Sequence, residues 1–136
     1  EGVSGQVKQT PNSIGYIELV YAVQNKMSYG KVKNAAGVFV EANLAGVTAA
    51  AASVKQMPDD FRVSITNAPG KDAYPISSFT WLLIPAQIQD AGKREVIKGF
   101  LNWMMTTGQQ YCEGLAYAKL PKEVVAKEQK AVAQIH

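Results

Sequence analysis

"PNSIGYIELVYAVQN", Pro11–Asn25, is the stretch on which the reading of the fold turns. It opens with turn-forming residues and continues through large apolar and tyrosine side chains, with one carboxylate, Glu18, inside it. A buried strand disfavours an unpaired carboxylate, and a half-exposed strand alternates apolar with polar residues. Splitting the segment resolves the conflict. Ser13–Ile17 predicts a short buried strand, with Gly15 marking a close backbone approach. From Glu18 onward Leu19, Val20, Val23 and Met27 recur at helical intervals. Glu18 then stands at a helix entry, where the helix dipole favours a carboxylate by about 0.3–1 kcal/mol, and it needs no catalytic role.

Working outward, Val3 and Val7 lie one turn apart and predict a helix over residues 1–9, ended at Thr10-Pro11 because the residue before proline avoids the α region. A sequence that opens inside an element, without an initiator Met, reads as a cut chain. "YGKVKNAAGVFVEA" (29–42) alternates around Ala36-Gly37 and predicts a hairpin. "ANLAGVTAAAASVKQM" (42–57) is alanine-rich and helical, closed by Pro58. "DFRVSIT" (60–66) reads as a strand, "NAPGKDAYP" (67–75) as a turn-rich connector and "PISSFTWLLIP" (75–85) as a strand buried on both faces. In "KREVIKGFLNWMMTTG" (93–108), Val96, Ile97, Phe100, Leu101, Met104 and Met105 form one apolar helix face, with Gly108 as a C′ residue. Pro121 suits a first helical position. The final helix should bury Val124, Val125 and Val132 while Glu123 and Lys127 pair at i,i+4. Strands and helices in this order predict an α/β fold.

The bulk properties narrow the chemistry. An apolar fraction of 47% and a charged fraction of 18% describe a folded domain rather than a disordered one. The net charge is +3 and the pI about 9.0, yet the basic residues are scattered singly or in pairs, which argues against nucleic acid as a partner. The one cysteine, Cys112, allows no internal disulfide or thiolate cluster and reads as a small helical residue. The one histidine, His136, sits at the last position, where fraying would prevent an imidazole relay. No stretch approaches the roughly 20 apolar residues of a membrane span. No metal or cofactor motif is present: "KNAAG" and "APGK" lack the spacing of a phosphate-binding P-loop.

Several polar residues could hold a ligand. Ser77 and Ser78, with Thr80 close by, offer hydroxyls at the polar end of a strand, and Arg62 offers a guanidinium; ordinary strand-end hydrogen bonding is the plain alternative. Thr10–Ser13 could form an anion-binding turn but suits a helix stop. Trp103 with Met104 and Met105 suits core packing. Asp59 and Asp60 suit a solvated loop. From these residues alone no catalytic centre assembles, and no enzyme is expected.

Taken together, three segments resemble the periplasmic phosphate-binding proteins of phosphate ABC transporters. Glu1-Gly2-Val3, Pro11, Ser13–Glu18 and Tyr21-Ala22 fit the family's helix start and its "PG-[AS]-IGY-[VI]-E" passage. Asp72-Ala73, Pro75-Ile76, Ser78 and Thr80 fit its "DAWPI-[ST]-S-x-T" strand. Phe100, Trp103, Thr107-Gly108, Leu115, Tyr117-Ala118 and Leu120-Pro121 fit its C-terminal "FFDWAYKTG…LDYASLP" pattern.

The resemblance implies the C-terminal half of a two-lobe fold: residues 1–73 the later part of the second lobe, 74–80 a crossover or hinge strand, and 81–136 the C-terminal part of the first lobe. It implies a non-enzymatic component for inorganic phosphate uptake, periplasmic or extracellular, either free or lipid-anchored outside the membrane in the full-length form, docking on the transporter's membrane subunits. The family's phosphate-contacting motifs fall upstream of Glu1, so no ligand residue carries over, and Arg62, Ser77 and Ser78 remain the weak candidates. A complementing N-terminal chain or a homo-oligomer is the expected partner. A binding protein for another oxyanion, or a self-assembling structural fragment without a ligand, are the alternatives.

Overall fold

The computed structural model describes residues 2–136; Glu1, the first residue of the predicted opening helix, lies outside the described residues. Helix α1 (Gly2–Gln9) ends where Thr10-Pro11 requires it to. Helix α2 (Leu19–Gln24) begins after Glu18, whose extended φ and ψ of −60° and 144° make it the N-cap. Strands β1 (Val32–Lys33) and β2 (Phe39–Val40) form an antiparallel hairpin pairing Val32 with Val40. Then come α3 (Leu44–Ala52), α4 (Ala91–Met105), two 3-10 turns (Thr107–Tyr111 and Glu113–Leu115) and α5 (Lys122–Ala133). Helices with a short two-stranded sheet fit the α/β expectation. No helix among the described residues is long and apolar enough to cross a membrane.

The helix boundaries follow local chemistry. Asn43 caps α3 by accepting from the Gly46 N–H at 2.8 Å, and Asp90 caps α4 by accepting from the Lys93 N–H at 2.9 Å. Helix α3 stops at Ala52, ahead of Pro58, with Ser53 turning its hydroxyl back onto the Ala50 carbonyl at 2.6 Å. Pro121 is the N-cap of α5 rather than its first helical residue. Gly108 is not a C′ residue in the left-handed region: it lies in the first 3-10 turn, where a Cβ would stand 3.0 Å from the Trp103 carbonyl. Close approach, not backbone freedom, is what requires glycine there.

Two separate cores form. One gathers Ala50, Ala51, Ile65, Ala68 and Ala73, with Val54 and Phe79 against it. The other gathers Ile88, Leu101, Met105, Val132 and Ile135, with Ile97, Met104 and Val125 against it. The six-residue apolar face predicted for α4 therefore splits: Ile97, Leu101, Met104 and Met105 face the core, whereas Val96 and Phe100 stay exposed. Phe100 stacks on Trp103 at 5.9 Å, and Trp103 meets Tyr111 at 6.1 Å. Trp103, expected in the core, is 45% exposed.

The predicted strands over Ser13–Ile17, 60–66 and 75–85 carry no ladder among the described residues. Ile14 is 97% exposed, Tyr16 91% and Leu83 95%, the opposite of the burial expected. A strand exists only against a neighbour, and among the described residues these segments have none that completes a ladder. Gly15 does mark a close approach: a Cβ there would stand 2.8 Å from a methyl of Val7, so α1 lies directly on the Ser13–Ile17 segment. His136 is not frayed. Its N–H donates to the Ala86 carbonyl at 3.0 Å, and its own carbonyl accepts from the Ile88 N–H at 2.6 Å.

One side chain organises the first half. Asn34 is 5% exposed. Its Nδ2 donates to the carbonyls of Gly70 (3.2 Å), Lys71 (2.9 Å) and Ala73 (3.2 Å), while Oδ1 accepts from the N–H groups of Ala36 and Val38. The hairpin and the 70–73 connector are thus held by a single amide with both ends satisfied.

Candidate functional site

The 60–66 and 75–85 segments run antiparallel and are stitched at intervals. The Asn67 N–H donates to the Pro75 carbonyl at 2.7 Å, Thr66 Oγ1 to the Ser77 carbonyl at 3.2 Å, and Trp81 Nε1 to the Phe61 carbonyl at 3.1 Å. Between them lies a shallow, open depression of about 480 Å³, lined by Arg62, Val63, Ser64, Ser78, Trp81 and Leu83. Phe79 and Trp81 meet edge-on at 6.3 Å.

Of the sequence candidates, Arg62 and Ser78 reach this depression and Ser77 does not. Ser77 is 4% exposed and donates its hydroxyl to the Tyr74 carbonyl at 2.8 Å, so it serves the turn. Ser78 is exposed, its hydroxyl on the Phe79 carbonyl at 3.1 Å. Arg62 donates from Nε to Asp60 Oδ2 at 2.8 Å. The Arg62 N–H first, and its guanidinium after it, hold the Asp60 carboxyl below the ordinary carboxylate range. Burial raises the Tyr74 phenol nearby.

A guanidinium beside two hydroxyls, of Ser64 and Ser78, can meet an oxyanion, but Asp60 already accepts from its Nε and the carboxylate charge opposes a second anion. The remaining wall is apolar. Sequence reading found Arg62 and Ser78 by residue type and missed Ser64, Trp81 and Leu83, whose signal was the antiparallel register of the two segments. The described residues contain no cluster of three or more metal-ligating side chains. The two adjacent carboxylates do not work as a pair: Asp60 turns to Arg62, and Asp59 accepts from Lys127 at 2.8 Å. Lys127 therefore does not pair with Glu123 as the i,i+4 spacing suggests.

Elsewhere Tyr117 donates its phenol to Glu18 Oε1 at 2.8 Å. That bond raises the Tyr117 phenol above its ordinary value. Glu18 is thus both the cap residue of α2 and a tie to the turn after the second 3-10 segment.

The structure thus offers an open, largely apolar depression with Arg62, Ser64 and Ser78 on its wall. Comparison with known proteins narrows the reading. No family model matches the chain. It is 41% identical over 126 residues to the phosphate-binding protein PstS of Xylella fastidiosa, covering 92% of this chain and 35% of that protein. It is 35% identical over 147 residues to PstS of Methanocaldococcus jannaschii, covering 98% and 38%. It is 30% identical over 130 residues to PstS of Pasteurella multocida, covering 95% and 38%. The resemblance carried by the three sequence segments is borne out along almost the whole chain, and these relatives are binding proteins rather than enzymes. The chain spans little more than a third of the length of the curated relatives it matches.

Proposed function

We propose that this chain is the C-terminal portion of the phosphate-binding component of an ABC transporter for inorganic phosphate, non-enzymatic, and working either free in the periplasm or lipid-anchored outside the membrane. The observation that carries this reading is 41% identity to a phosphate-binding protein over 92% of the chain. In this reading residues 1–73 belong to one lobe, 74–80 cross between lobes, and 81–136 complete the other. Closure of the lobes on phosphate precedes docking to the membrane subunits.

The main phosphate contacts come from segments outside these 136 residues, with Arg62 and Ser78 at most peripheral to them. The exposure of Ile14, Tyr16, Leu82 and Leu83 on unladdered segments supports a complementing polypeptide that adds strands to both edges. The same exposure favours a second reading, a fragment that assembles with itself and binds no ligand.

Calorimetric titration with inorganic phosphate separates them. The 136-residue chain alone is expected to bind none, and a polypeptide extended upstream to bind with micromolar or tighter Kd. Tight binding by the short chain alone would place the contacts at Arg62 and Ser78. No binding by the extended form, with a homo-oligomer in native mass spectrometry, would establish the second reading; binding of a different oxyanion would correct the ligand.

A further inference from the structure

The loop that leads into the depression is gripped from a distant element. Lys127, on α5, donates from Nζ to the Met57 carbonyl and to Asp59 Oδ1 at 2.8 Å, and stands 6.0 Å from the centre of the Phe61 ring. Asp59 is fully exposed, so solvent and salt screen the ion pair and by itself it holds the loop weakly. The backbone carbonyl is the firmer partner, because a charged donor fixes it at a set place in the chain.

From there the loop is held residue by residue. Asp60 binds both the N–H of Arg62 (3.1 Å) and its Nε, and the Phe61 carbonyl receives Trp81 Nε1. Phe61 has φ +58°, a left-handed conformation that a bulky residue keeps only when its surroundings impose it. Lys127 stands over the ring of that strained residue and Trp81 holds its carbonyl. The far end of the grip is firm, since Val124, one turn before Lys127 on the same helix, and Val132 are both buried.

We propose that Lys127 is a positioning residue, a latch by which α5 sets the 57–62 loop and through it the placement of Trp81 and Arg62 at the depression. Without the latch, Phe61 returns to negative φ, its carbonyl leaves Trp81, and the depression loses one wall. The proposal does not depend on which ligand the protein binds.

The test uses the full polypeptide that carries these residues and reads the Trp81 indole N–H by NMR, assigned with W81F, with the Trp103 indole as internal reference. K127M keeps the aliphatic stem and removes every donor. The expected result is a shifted Trp81 resonance whose exchange with solvent rises about tenfold, an unmoved Trp103, and recovery of the native signal in K127R. D59N, at an exposed position that cannot unfold α5, should move Trp81 the same way by less, and salt should reproduce that smaller shift. A Trp81 signal unmoved in folded K127M overturns the latch; should K127M not fold, an unmoved signal in folded K127A, which has no donor and a helix-favouring side chain, overturns it equally.

Discussion

Helices α4 and α5 carry charges along their length and the 75–85 segment carries none, yet it is the helices that bury their large apolar side chains. Leu101, Met105, Val132 and Ile135 are buried, while Trp81, Leu82 and Leu83 stand 45%, 54% and 95% exposed. The difference lies in the backbone. A helix satisfies its own N–H and C=O groups and needs a partner only for its apolar stripe, which α4 and α5 supply to each other. An extended segment needs a neighbour for its backbone as well as its side chains. Backbone satisfaction, and not hydrophobicity alone, therefore decides which place has a finished core and which an unfinished surface.

Paired truncations test that contrast most strongly. Leu101→Ala should cost about 2–5 kcal/mol of unfolding free energy, and Leu83→Ala about 0.5 kcal/mol or less, both read by urea denaturation. If Leu83→Ala costs as much as Leu101→Ala, Leu83 is covered in solution and the contrast fails. Next in size is Asn34→Ala, which strips five hydrogen bonds from a buried amide and should cost about 1–3 kcal/mol. Loss confined to the first core, seen as faster amide exchange at Ile65 and Ala73 but not at Leu101, would show that the two cores fold as separable units.

How much of this was legible in the sequence follows the same divide. The helices were, because their signals are local: proline after Thr10, the carboxylate at Glu18, the apolar spacing of Leu101 and Met105. The three strands were not, since residue type indicates a strand and only a neighbour makes one. Lys127 was misassigned because i,i+4 spacing offers Glu123 while the tertiary structure offers Met57 and Asp59. Asn34 passed unnoticed within a glycine turn, although an asparagine there is well suited to bonding nearby backbone. Arg62 and Ser78 were named by chemistry, and their shared depression became visible only once the register of two loops was known.

Smaller effects sharpen the picture. Tyr117→Phe removes the bond to Glu18 and should lower stability by about 0.5–1.5 kcal/mol, with α2 the first element to exchange. If α2 is unaffected, Glu18 serves only as its helix entry. Glu128, on α5, has its carboxyl raised by burial. The folded state then holds that proton more tightly than the unfolded chain, so this group's contribution to stability falls as pH rises through and above the ordinary carboxylate range. Glu128→Gln should raise Tm slightly at neutral pH and leave it unchanged well below that range; a Tm difference constant across pH would exclude the linkage.

From Ala73 to Gln89 not one side chain carries a charge, and the 79–84 stretch lies in the middle of that span. Timing is the consequence. During synthesis nothing electrostatic keeps two such stretches apart, so in the interval before they are covered the rate of covering competes with the rate of encounter between nascent chains. Expression yield should then depend on chain concentration and chaperone supply more steeply than the stability of the helices would suggest.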